Sequence, residues 1–144
     1  MNKMNRLKLT LLLCFVAVIV VPVAYAQMGP GPGKRTRFYN PAAETTVKGT
    51  VEEVRTVTGR GGWNGIHLTL KAEGKTLDVH VGPAAFLKEK GFTFAKGDQI
   101  EVTGAKTQFG GTEAIIAREV KKGSETLVLR DAQGIPEWSG GRRR

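Results

Sequence analysis

Cysteine, serine and histidine are scarce in this 144-residue chain, and each shortage closes off a class of chemistry. The only cysteine, Cys14, lies inside the apolar run from Leu9 to Val21 of the opening "MNKMNRLKLTLLLCFVAVIVVPVAYA". A basic start, an apolar run and the close Ala24-Tyr25-Ala26 form the pattern of a secretory signal cut after Ala26. Cys14 follows Leu13, where a lipoprotein site would carry a small residue. The expected mature protein, starting at Gln27, therefore has no thiol. That excludes thiolate nucleophiles, disulfide frameworks, cysteine zinc sites and C-x-x-C-H haem attachment. The alternative is an uncleaved anchor, but the apolar run is short for a span and Pro22 precedes the A-x-A end. A cysteine-free exported chain suits a bacterial periplasm or the surrounding medium, with no integral span left after cleavage.

Serine catalysis fares no better. Ser124 and Ser139 are the only serines, and neither sits in a G-x-S-x-G elbow. "EGKT" at 73–76 imitates the end of a phosphate loop, yet Thr69 stands where its first glycine belongs. "GRGGWNG" precedes a strand, whereas phosphate cradles use the amides that open a helix. Glu52 and Glu53 are neighbours on a strand, and simple alternation points them to opposite faces. The expectation is a protein that is not an enzyme.

Charge is plentiful but unevenly placed. The chain carries a net +9, yet residues 38–141 hold thirteen basic and thirteen acidic side chains. The excess lies in the signal, in Lys34, Arg35 and Arg37, and in the last three residues Arg142, Arg143 and Arg144. A neutral domain with basic tails can touch polyanions or nucleic acid through those tails without reading sequence. Solubility is the plainer use of such tails.

Residues 27–42 combine Gly, Pro and basic side chains and read as a flexible leader. The domain is expected over 43–140, with a basic tail at 141–144. In "ETTVKGTVEEVRTVT" the apolar positions Val47 and Val51 give way to Val54 and Val57, so parity changes across Glu52-Glu53. Such a change predicts a β-bulge that bends one long strand around a small barrel, with Gly49 assisting the bend.

The stretch "GIHLTLKAEGKTLDVHVG" holds both histidines. With Glu73-Gly74 as a two-residue turn, Ile66 faces Val81, Leu68 faces Val79 and Leu70 faces Leu77 on one apolar side. The other side then pairs His67 with His80, Thr69 with Asp78 and Lys71 with Thr76. Next, "GPAAFLKEKG" predicts a short helix with Pro83 at its first position and Gly91 at its end. "KGDQIEVTG" predicts a strand with Ile100 and Val102 inward, and "FGGTEAIIAREV" a Gly-Gly turn and another strand. "ETLVLRDAQGIPEWSG" reads as an added hairpin turning at 132–134. The order is that of an all-β fold with one short helix, a five-stranded Greek-key OB-fold-like barrel plus a C-terminal hairpin.

The succession "VKGTVEEV", "GIHLTLKAEGKTLDVHVGP", "KGDQIEVTG", "AIIAREV" and "LVLRDAQGIPEW" resembles small exported bacterial OB-fold proteins. Within that group it is most similar to the domain of the magnetosome-associated MamS and MamX proteins and their secreted relatives. The resemblance covers about residues 43–140 and consists of fold signals. It implies an extracytoplasmic binding or accessory module. Haem-attachment motifs occur in some members, but the cysteine-free mature chain has none, so haem chemistry does not carry over.

OB-folds take ligands on the outer face of strands two and three. Here the candidate ligand-binding residues are His67, Thr69, Lys71, Asp78 and His80, with Thr76 on the same face and Trp63 at its loop end. Trp138 and Phe109 read as packing or rim residues. No cofactor is required by any motif. His67, His80 and Asp78 are the metal-ligand candidates, for weak binding of Zn, Cu or Ni on an open surface. The leading expectation is an exported, non-catalytic module for a protein or cell-envelope partner. The alternatives are metal handling by the histidine pair and polyanion binding by the tails.

Overall fold

The computed structural model describes residues 38–140. The expected signal, most of the leader and the tail at 141–144 lie outside the described residues. Six strands follow a 3-10 turn at Pro41–Ala43: β1 (Glu44–Thr58), β2 (Asn64–Ala72), β3 (Lys75–Pro83), β4 (Gln99–Phe109), β5 (Thr112–Lys122) and β6 (Glu125–Val128). One helix, α1 (Ala84–Glu89), joins β3 to β4. The sheet order is β3-β2-β1-β4-β5-β6, and a further pairing of β3 with β5 closes the first five strands into a barrel. This is the OB-fold expected from the strand order.

The closure is short. β3 and β5 run parallel and pair through Asp78 with Ala114, Val79 with Ile115 and His80 with Ile116. One step further, where the ladder stops, the part-buried guanidinium of Arg130 donates through one nitrogen to the carbonyls of both Val81 and Ala117. A side chain thus extends the seam past the last backbone pair. Its plane lies over Trp138, 4.8 Å from the ring centre.

β1 bends where the apolar pattern changes. Val51 pairs with Leu70 and Glu53 with Thr69, so Glu52 is the inserted residue of a bulge. The bend lets β1 pair with β4 through Thr50 and with β2 from Thr50 onward. Past the bulge, Val54 shares the inward side with its partner Leu68 but stays 37% exposed, and Val57 is 40% exposed. Only β2 flanks this half of the strand, so the core covers it thinly. Gly49 does more than ease a bend: a Cβ there would stand 2.5 Å from the carbonyl oxygen of Lys71. The residue allows the two strands to cross closely.

The barrel interior is built from alternate residues. Leu68, Leu70, Val79, Val81, Val102, Ile115, Val120 and Leu129 are all fully buried, and Phe86 and Leu87 of α1 close one end. Tyr39 is also buried, against Ala105 and Ile116, so the folded region reaches upstream of the expected start at Ala43. Its hydroxyl donates to Glu44, whose carboxylate also accepts from Arg118 Nε at 2.6 Å. One smaller expectation changes: Pro83 caps α1 from outside instead of occupying its first position. The C-terminal segment adds β6 to β5 and then turns back over 131–135 as expected, its arms joined by the Arg130–Pro136 bridge and by backbone bonds from Asp131 N to Ile135 O and from Glu137 N to Leu129 O. Among the described residues no helix is long and apolar enough to cross a membrane.

Candidate functional site

The β2–β3 hairpin turns at Glu73 and Gly74, both with positive φ (50° and 75°), which is the backbone of a type I′ turn. That turn fixes the register. Leu70 pairs with Leu77, Leu68 with Val79, Thr69 with Asp78, Lys71 with Thr76 and His67 with His80, as expected. One expected pair fails: Ile66 meets Gly82 instead of Val81, because the register shifts between Ile66 and His67. The extra residue twists the end of the hairpin but leaves the histidine pair intact.

His67 and His80 lie side by side with ring centres 4.0 Å apart. Asp78 completes the group. Its Oδ2 is 3.4 Å from His80 Nε2 and 3.9 Å from His67 Nδ1, while Oδ1 accepts from Arg55 Nη2 at 2.8 Å. Arg55 comes from β1 and pairs with His67 in the ladder, so it stands on the same outer face. From the far end of β4, Phe109 lies flat on His80, with centres 4.5 Å apart and planes 9° from parallel. Phe38 tilts against Phe109 at 6.2 Å. Four rings, His67, His80, Phe109 and Phe38, form a continuous row across the face.

The setting favours neutral imidazoles. Burial lowers the pKa of His67; Asp78 pulls it the other way and Arg55 adds to the lowering. Burial also lowers His80, helped by the neighbouring His67, again against the pull of Asp78. Uncharged rings keep a lone pair free to accept a proton donor or bind a metal ion.

The other expected ligand residues do not converge there. Lys71 reaches Glu52 at 4.0 Å. Trp63, 53% exposed, lies over Gly59 and Gly65 at the mouth of its own hairpin. Thr69 lines a surface depression of about 630 Å³ with Glu52, Glu53, Val54, Phe94, Ala95 and Lys96. Glu52 and Glu53 were expected on opposite faces; the bulge breaks the alternation and both border this depression. Trp138 is a packing residue, 5.3 Å from Phe86. Phe109 is more than a rim residue, because its ring is stacked on His80. Sequence reasoning missed that role, and it missed Arg55. The available signal was the length of β4, which carries Phe109 to the Gly110-Gly111 turn beside the closing strand β5.

The sequence profile described as the MamS/MamX magnetosome protein family matches residues 43–127. A search of curated proteins finds no match. Among solved structures, the chain is similar to one from the S. pombe Stn1-ten1 complex, with 15% identity and a TM-score of 0.46 over 57% of this chain and 59% of that one. It thus spans somewhat over half the length of that relative. It is also similar to the S. cerevisiae mitochondrial single-stranded DNA binding protein Rim1, with 11% identity and a TM-score of 0.44 over 58% of this chain and 93% of that one. The second OB-fold domain of replication protein A from Methanococcus maripaludis aligns with 19% identity and a TM-score of 0.42 over 58% and 87% of the two chains.

Proposed function

The chain belongs to the MamS/MamX magnetosome protein family through residues 43–127, and from that premise we propose that it is an exported, non-catalytic binding module. Its ligand is a protein or cell-envelope partner, docked on the outer β2–β3 face. The row of rings from His67 to Phe38 carries this reading. Rigid rings offer large contact area at small entropic cost, which is why aromatic residues dominate the energetics of binding surfaces. Phe109 is 37% exposed and Phe38 62% exposed, so the row presents apolar surface beside the charged pair of Arg55 and Asp78. Binding without catalysis agrees with the serines: Ser139 Oγ donates to Pro136 O at 2.6 Å, and Ser124 sits exposed in the β5–β6 turn.

A photo-reactive phenylalanine analogue at position 109, compared with one at Glu125 on β6, tests the docking face in cells that make the protein. The expected outcome is one defined adduct from position 109 and none from 125. Equal labelling from both positions, or none from either, would discard this face as the docking surface. Mass spectrometry of the native protein tests export: a chain starting at Gln27 is expected, and an intact segment 1–26 would revive the anchor.

A further inference from the structure

The geometry points to a transition-metal site formed by His67 Nδ1, His80 Nε2 and a carboxylate oxygen of Asp78. It deepens the reading of the β2–β3 face as the ligand face, and it gives that face a second ligand class: a borderline divalent ion such as copper(II), zinc(II) or nickel(II).

Spacing is the first argument. One donor atom from each of the three residues lies within 4.8 Å of the others. Metal bonds to imidazole or carboxylate are about 2.0–2.2 Å long, so two donors on one ion stand about 3.4 Å apart at a tetrahedral angle and at most about 4.2 Å apart. The two separations to Asp78, 3.4 and 3.9 Å, already fall in that window. From a widest gap of 4.8 Å, side-chain adjustment of about 0.6 Å reaches the upper limit and about 1.4 Å the tetrahedral spacing.

The contacts among these atoms are long. Hydrogen bonds of this kind measure about 2.7–3.2 Å, and both histidine–aspartate separations exceed that. Asp78 spends its other oxygen on Arg55 at 2.8 Å. The three donor atoms therefore lie near one another with room between them, and no contact between histidine and aspartate is closed to ordinary hydrogen-bond length.

Orientation supplies the third. Metal ligands are aimed by their outer partners. Arg55 holds the carboxylate, Phe109 fixes the plane of His80, and the short cross-strand contact fixes His67 against it. All three donors sit on paired strands of the hairpin rather than on a loop.

The donor set selects the ion. Two imidazoles and one carboxylate suit Zn, Cu and Ni; calcium and magnesium prefer all-oxygen shells, and copper(I) prefers sulfur. Within this set copper(II) binds tightest. Arg55 cancels the charge of Asp78, so a dication gains little from the local field and affinity falls in the micromolar range. Three protein donors leave coordination positions for water or for a donor from a docked partner.

Calorimetric titration of the purified protein with zinc chloride, and separately with copper(II) chloride, tests the site. One ion per chain is expected, with a higher melting temperature when it is bound. In the zinc titration both histidine ring signals should move together in NMR. H67Q, H80Q and D78N should each lower affinity by roughly tenfold or more. Circular dichroism checks that each variant is folded, and the wild-type ring signals decide the matter if one is not. Binding that survives H67Q/H80Q, or ring signals that do not respond to micromolar metal, would overturn the site. Cross-linking from position 109 reads partner docking in either case, so failure of the metal site and failure of the docking face give different results.

Discussion

Single residues hold this barrel at two places where the backbone cannot. Arg130 continues the β3–β5 seam by donating to the Val81 and Ala117 carbonyls. Replacing it with methionine keeps the stem against Trp138 but removes both hydrogen bonds. Stability should fall by about 2–3 kcal/mol in urea unfolding; a loss below about 0.5 kcal/mol would mean that water substitutes for the guanidinium. Glu44 fixes the start of the fold. Burial pushes its carboxyl up, but hydrogen bonds from Arg118 and Tyr39 outweigh that and hold its pKa below the usual glutamate value. A depressed carboxylate stabilises the folded state above its unfolded pKa of about 4.3, and the benefit drains away as pH falls through the lower folded value. Glu44→Gln should therefore be less stable than the wild type at pH 6, with the difference shrinking towards pH 3. A gap that does not change with pH would show that the charge of Glu44 is irrelevant.

At the level of elements, the β2–β3 hairpin was legible because its signals are local. Strict alternation plus a two-residue turn leaves one register that buries Leu68, Leu70, Leu77 and Val79, and that register alone sets His67 against His80. The bulge in β1 was legible for the same reason, since a change of parity has few other meanings. What alternation could not reveal is non-local. Arg55 reaches Asp78 because β1 pairs with β2, and Phe109 reaches His80 because β5 closes on β3; neither follows from the spacing of residues along one strand. The shift at Ile66 was hidden because Val81 and Gly82 are both compatible with a strand end. The turn offers a direct check of the hairpin's role. Glu73 holds φ at 50°, a conformation that asparagine tolerates better than glutamate. Glu73→Asn should raise stability by about 0.5 kcal/mol, read as an increased urea midpoint with an unchanged slope. A decrease would mean that the glutamate side chain supports the turn in some other way.

For the whole molecule, the separation of charge matters most. The sequence places its excess positive charge in Lys3, Arg6 and Lys8, in Lys34, Arg35 and Arg37, and in the last three residues, and leaves 38–141 balanced. If the protein meets polyanions, removing Lys34 to Arg37 and Arg142 to Arg144 should abolish most of the affinity for heparin and flatten its dependence on salt. Affinity that persists would move the contact to the barrel. The seam has another consequence, in the order of events during folding. His67 and His80 meet across a hairpin whose strands are joined by two residues, whereas Phe109 reaches them only after β5 has paired with β3 across more than thirty intervening residues. Local hairpins form in about 1–10 μs, while distant parallel pairings pay a larger closure entropy first. The histidine pair should therefore be assembled early and acquire its stacked lid late. In refolding followed by NMR, the Leu68 and Val79 amides should be protected before the His80 ring signals, which Phe109 covers, reach their native positions; simultaneous arrival would mean that hairpin and seam form as one unit.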